Sequence, residues 1–216
     1  MFSTFFIARP TTFADRQTPD MITSPDAYLP LDTLLQPESD LEKLLLTLPE
    51  FQQGLRWGEP RFGHPEGLVA YHVREVLENI DLIPRLPAED RTRLRLIALS
   101  HDTFKYAEDR SRPRDWARHH GVLARRFMEH YTDDPFVLDI IETHDDAYYA
   151  WLGSRPGCTA PGARSLVGLL HRVGHCLQLY YLFFKCDTQT GDKVQASLKW
   201  FEKNVLGIEY VKVREG

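Results

Sequence analysis

No apolar run in this 216-residue sequence approaches the roughly 18 residues a membrane-spanning helix requires. The three cysteines, Cys158, Cys176 and Cys186, are odd in number and form no CxxC pair. A disulfide framework is therefore not expected, and a reducing compartment is the simpler setting. There is no excess of positive charge either. The formal net charge is -5, so nothing global attracts nucleic acid or an anionic membrane, and any basic site must be local. The start, "MFSTFFIARP", is briefly apolar but has no basic residue before that stretch, and Arg9 and Pro10 interrupt it. A signal peptide is not expected, and the chain reads as a cytoplasmic protein. No repeat and no low-complexity segment is present.

Hydrophobic residues make up 43% of the chain and aromatics 12%, which is enough for a substantial core and excludes a wholly disordered polypeptide. Residues 1–37 are rich in Thr, Pro and Asp with little periodicity and read as a loosely ordered arm. Residues 38–216 read as a single domain. Ser39 caps "SDLEKLLLTLPEF", where Leu41, Leu44, Leu45 and Leu48 share a face. "EGLVAYHVREVLENIDLI" places Leu68, His72, Val76 and Leu77 at helical spacing, and "AEDRTRLRLIALSHD" does the same for Leu94, Ile97 and Ala98. "PRDWARHHGVLARRFMEHY", opening at Pro113, and "DPFVLDIIETHDDAYYAWL" each read as one helix. "SLVGLLHRVGHCLQLYYLFFKCD" reads as a long buried helix and "GDKVQASLKWFEKNV" as a last amphipathic one. The tail "GIEYVKVREG" alternates like a short strand. About seven helices and almost no strand signal predict an all-α fold.

Separate helices each bring one or two nitrogen or oxygen donors beside an apolar face. They are His72, the pair His101 and Asp102, His119 with His120, His144 with Asp145, and Asp187; Asp145 and Asp146 both follow His144, and either one would serve to hold its imidazole from behind. Helical bundles build metal sites from inward side chains in this way. Imidazole and carboxylate without thiolate favour zinc, iron, manganese or magnesium. His171 and His175 stand four apart in "HRVGH", but no Glu follows the first as in HExxH. They read as structural or as lining the outer part of the cleft.

The order of these segments resembles the HD-domain superfamily of metal-dependent phosphohydrolases, across roughly residues 60–200. "YHVREVLENI" offers His72 in the place of the first family His, and "GHPEGLVAYH" is similar to an HPEG stretch that precedes it in some members. "ALSHDTFKY" supplies His101 and Asp102, with Lys105 in the Lys position of HDxGK and Phe104 where that pattern has Gly. "HHGVLARRF" resembles HExxGA. Counting back five from Ala124 gives His119, with His120 as its rival. "DIIETHDDAY" supplies His144 and "LFFKCDTQTGDK" supplies Asp187 as the final Asp.

The resemblance implies an HD-type helical bundle binding one or two divalent ions (Mn, Zn, Mg, Fe or Co). Asp102 would bridge them, with His72, His101 and Asp187 around one and His119 and His144 around the other. Catalysis would rest on Asp102 and Lys105. Apart from the resemblance, Arg110, Arg112, Arg114 and Arg118 form the local basic edge an anionic substrate needs, and Lys105, Arg110 and Arg114 are expected to bind a small phosphorylated substrate such as a nucleotide. Membrane and nucleic acid are not expected partners, and a homo-oligomer stays open. Two rival readings share the ligand pattern: a di-iron oxygenase like the inositol-oxygenase group, and a metal-stapled binding module, which Phe104 would favour if its ring narrowed the cleft.

Overall fold

Apolar residues surround the second half of α5 (Ala88–Ser100) on every side, and Leu94 to Ser100 are buried without interruption. A helix apolar all round belongs at the centre of a bundle. In the computed structural model, which describes residues 30–158 and 165–213, α4 (Val69–Asp81), α7 (Pro135–Thr143) and α10 (Leu177–Thr188) pack directly on it. α10 also lies against α4, and α6 (His120–Met128) packs on α7. On one flank, α1 (Leu31–Leu35) rests on α4, followed by α2 (Asp40–Thr47) and α3 (Pro49–Leu55). On the other, α8 (Asp146–Gly153) sits between α9 (Leu166–Val173) and α11 (Ala196–Asn204). Among the described residues the fold is all-α, with a single isolated bridge between Arg61 and His64. No helix among them is long and apolar enough to cross a membrane.

More helices form than the apolar periodicity suggests, because several stretches break where periodicity alone is blind. Pro49 starts a new helix after Leu48 turns extended. The segment read as one helix from Asp134 divides into α7 and α8 at His144 and Asp145. There the Tyr180 hydroxyl donates to the Thr143 carbonyl at 3.0 Å and accepts the Ala147 N–H at 3.2 Å, stitching the two ends together. The long apolar helix divides through a 3-10 turn at Gly174–Cys176. α6 begins at His120 rather than near Pro113, since Asp115 caps only one 3-10 turn, Trp116–Arg118, before the chain straightens.

Two further expectations differ. Residues 31–35, read as part of the arm, form α1 with Leu31 and Leu35 buried, while residues 1–29 lie outside the described set. The tail forms no strand through Val213. Its backbone pairs instead with the Gln178 side chain on α10, which donates to the Glu209 carbonyl and accepts the Glu209 N–H.

Two contacts set the frame of the central turn. Arg95 on α5 is buried against Glu42 on α2, its Nη2 lying 2.9 Å from Oε2, and also donates to the Gln36 carbonyl. Gly54 on α3 meets the backbone after α5 so closely that a Cβ there would fall 1.7 Å from the Thr103 oxygen. The turn carrying Asp102 is thus pressed from below by a helix that tolerates only glycine.

Candidate metal centre

The C-terminal ends of α5 and α7 and the N-terminus of α6 meet at one point, facing the middle of α4 and the last turn of α10. Local sequence places the donors there. His101 is the residue that closes α5, and His144 closes α7. Each turns its Nδ1–H back onto a carbonyl of its own last turn, Ala98 at 2.9 Å and Ile141 at 2.8 Å. A carbonyl can only accept, so in the neutral form of both rings the proton stays on Nδ1, and Nε2 is the nitrogen left to bind a cation or a second proton, directed inward. His72 obeys the same rule. Its Nδ1 lies 3.3 Å from Thr190 Oγ1, whose hydroxyl proton is already donated to the Asp187 carbonyl, and 3.5 Å from Glu66 Oε1. The Nδ1 of His120 faces Glu108 Oε2 at 3.4 Å. Four imidazoles therefore offer Nε2 lone pairs to the same interior, oriented from behind as metal-bound histidines are.

These lone pairs approach one another without a donor between them. Nε2 of His72 and His101 are 3.3 Å apart, and those of His120 and His144 are 3.1 Å apart. Asp102 stands between the pairs. Its Oδ2 lies 3.6 Å from His72 and 3.5 Å from His101, and its Oδ1 lies 3.4 Å from His120 and 3.5 Å from His144. Asp102 Oδ1 is buried with no hydrogen-bond partner. Asp187 Oδ1 joins the first pair, 2.9 Å from His72 Nε2 and 3.7 Å from His101 Nε2. Acceptors held this close repel unless a cation or protons lie among them. Most of these spacings fall in the roughly 3.0–3.6 Å between donors that bonds of 2.0–2.2 Å to one ion impose, with the two Asp187 separations just outside it. The residues present fit a divalent metal.

The electrostatics of the metal-free site agree. Burial works against ionising Asp102, yet His101 and Lys105 beside it hold its carboxyl well below the usual range. Asp187 is held low against burial by Lys193 and His101. Burial also opposes charge on His101, but Asp102 and Asp187 outweigh it and push the imidazole up to about 9. For His72, burial and the Lys193 charge prevail and lower it to about 4. Glu108 is pulled down to about 2 by His120 and Arg114 in spite of burial.

His72, His101, Asp102, His144 and Asp187 converge. Of the histidine pair, the structure brings His120 rather than His119 to Asp102 and His144. His119 is the N-cap of α6, its Nδ1 accepting the Gly121 N–H at 3.2 Å, so the count back from Ala124 selects the residue just outside the helix. Lys105 Nζ lies 2.5 Å from Asp102 Oδ2. Arg110 and Arg114 both line the cavity that opens over the site. Arg110 is largely exposed and sits over the Trp57 ring, while Arg114 is tied to Glu108 and donates to Tyr149 Oη at 2.9 Å. Arg118 pairs with Asp109 instead. Phe104 does not narrow the cleft. Its ring is buried against Phe127, with centroids 5.0 Å apart, and its backbone has negative φ, so glycine is not needed there.

Sequence reasoning missed Glu108, Glu66 and Lys193. Glu66 stands in "HPEG" and Lys193 ends "LFFKCDTQTGDK", but nothing in either stretch singles it out. Asp145 and Asp146 were both candidates to support His144, and Asp145 is the one whose carboxylate faces the histidines. His171 is exposed, and His175 packs on Phe136 away from the centre.

An all-helical bundle that converges four histidines and two aspartates on one buried point defines a protein able to hold divalent metal. The family model described as HD domain matches residues 69–165, which contain His72, His101, Asp102, His120 and His144, and this match supports membership of the HD-domain superfamily. Comparison with curated proteins and with solved structures gives no significant match.

Proposed function

We propose that the protein is a metal-dependent phosphohydrolase acting on a small phosphorylated molecule. The observation that carries this reading is Asp102, whose two oxygens face two separate histidine pairs in the manner of a carboxylate shared by two ions. His72, His101, Asp187 and Asp102 would hold one ion, and His120, His144 and Asp102 another. A divalent ion bound there supplies an activated water near neutral pH and neutralises phosphoryl charge. The chain's own residues bind and orient. A cavity of about 730 Å³ opens over the site, a size suited to a small molecule. Lys105, Arg110, Arg114, Arg155 and Lys193 stand on its wall. That concentration of cationic side chains, in a chain of net charge -5, favours an anionic substrate over the uncharged polyol an oxygenase of this scaffold would take.

Tyr148 and Trp151 on α8 line the same cavity with ring centroids 5.6 Å apart. They offer a face for the ring system of a nucleotide, the substrate we favour. Lys105 holds Asp102 in place and presents its ammonium to the cavity, where it would meet a phosphoryl oxygen. The test is Asp102→Ala, assayed against p-nitrophenyl phosphate and a panel of nucleotides with Mn²⁺, Zn²⁺, Mg²⁺, Fe²⁺ or Co²⁺. Loss of bound metal together with hydrolysis is expected; retained metal and full activity would refute the assignment.

A further inference from the structure

The two halves of the centre have matching parts. In the first, two Nε2 atoms meet one oxygen of Asp102 and one oxygen of Asp187. In the second, the Nε2 atoms of His120 and His144 meet the other oxygen of Asp102, and a further carboxylate stands in the place corresponding to Asp187. It is Asp145, whose Oδ2 lies 3.5 Å from His120 Nε2 and 3.7 Å from His144 Nε2. With 3.1 Å between the two nitrogens and 3.4 and 3.5 Å from them to Asp102 Oδ1, the separations in this half span the same range as those around Asp187. Asp102 Oδ1 is buried, unpaired and aimed at the same two nitrogens.

Each outer carboxylate also has a cationic or N–H group at its back. Lys193 Nζ lies 2.9 Å from Asp187 Oδ1. His119 Nε2 lies 3.5 Å from Asp145 Oδ2, and this nitrogen is buried with no closer partner. His119 differs from the other four histidines in its tautomer. Because its Nδ1 accepts the Gly121 N–H, the neutral ring carries its proton on Nε2. A protonated nitrogen cannot ligate. It can direct an N–H dipole at an anion, and Asp145 is the nearest one.

We propose that Asp145 completes the second half of the metal centre as Asp187 completes the first, and that His119 is a positioning residue that aims Asp145 rather than a ligand. The inference rests on the metal-binding reading above but not on the reaction. Asp145 is about a third exposed and lines the cavity, so this ligand sits where the centre opens to substrate.

The experiment is titration of the metal-free, full-length protein with Co²⁺, followed by calorimetry and visible absorption. The wild type should take up two ions. Asp145→Asn keeps the shape of the side chain and should weaken the second ion at least tenfold, with altered Co²⁺ bands, while the first binds as before. His119→Asn preserves a cap for α6 but cannot reach Asp145. It should weaken the second ion several-fold without shifting the unfolding temperature of the metal-free protein. If Asp145→Asn binds both ions with wild-type affinity and spectrum, the proposal is wrong. It is equally wrong if His119→Asn abolishes the second ion as His120→Ala does, since His119 would then be a ligand. A wild type that takes up fewer than two ions overturns it together with the two-ion reading. Failure to hydrolyse any phosphoester touches only the functional reading, because the titration does not depend on turnover.

Discussion

Lys105 shows how a single side chain carries meaning that spacing only half reveals. It falls three residues after Asp102, and on a continuing helix that spacing alone would bring the two together. The helix does not continue. α5 ends, and Lys105 opens a 3-10 turn, Lys105–Ala107, from which Nζ still reaches Asp102 Oδ2 at 2.5 Å. Such a half-buried ammonium serves the carboxylate and the cavity at once, so its removal should separate binding of metal from turnover of substrate. Lys105→Met is expected to keep its metal and to lose on the order of 10²–10³ in kcat, the usual effect of deleting one preorganised donor. Metal analysis beside steady-state kinetics on p-nitrophenyl phosphate checks this, and unchanged kcat would make Lys105 a mere prop. The neighbouring histidines mark the limit of reading at this scale. His119 and His120 have the same chemistry and adjacent positions, and which one faces Asp102 depends on where α6 begins. That start is decided by the Gly121 N–H finding its acceptor in the His119 ring, a three-dimensional fact with no spacing signature.

Between elements, the centre depends on close approaches that only glycine permits. Gly54 in α3 lies under the turn after α5, and Gly121 in α6 lies against α7, where a Cβ would stand 2.9 Å from the Glu142 carbonyl oxygen. Gly54→Ala must move α3 or the backbone at Thr103, one residue from the bridging carboxylate. It is expected to destabilise the protein by about 1–3 kcal/mol, the usual cost of overpacking, and to weaken metal binding by displacing Asp102. Urea unfolding with and without Mn²⁺ checks it: a stability loss that leaves Mn²⁺ affinity untouched would show that the turn is not held from below. Apolar faces were largely legible at this scale, although Leu44, read on the face of Leu45, is 47% exposed. Val76 and Leu77, Leu94 and Ile97, and Ile140 and Ile141 are buried as their periodicity requires. The breaks were not, because the division at His144 is stabilised by the Tyr180 hydroxyl from a distant helix, which no local pattern announces.

At the scale of the whole molecule, the order of donor segments in sequence survives folding as a single point in space, which is why fold class and centre were both readable. Glu108, Glu66 and Lys193 were not readable, since each supports a ligand from a loop whose path the bundle sets. The point they build concentrates negative charge and lone pairs in the interior, so the fold must be closed by a cation or by protons. That competition predicts the pH dependence. In metal-free protein, His101 is raised from its ordinary 6.5 to about 9 by Asp102 and Asp187, so its protonated form stabilises the fold. This contribution is complete below pH 6.5 and disappears as pH rises through about 9. Divalent metal reverses the trend, because it must displace that proton and therefore binds more tightly as pH rises across the same window. At a free concentration one hundred times its dissociation constant, an ion adds about 2.7 kcal/mol. For a domain of this size that corresponds to roughly 5–11 °C in Tm. Thermal unfolding in EDTA should thus show Tm falling from pH 6.5 toward 9, whereas saturating Mn²⁺ should hold it level and higher, the gap widening with pH. A gap that narrows over this range, or an EDTA curve that rises, would mean that proton and metal do not contend for the same nitrogen of His101.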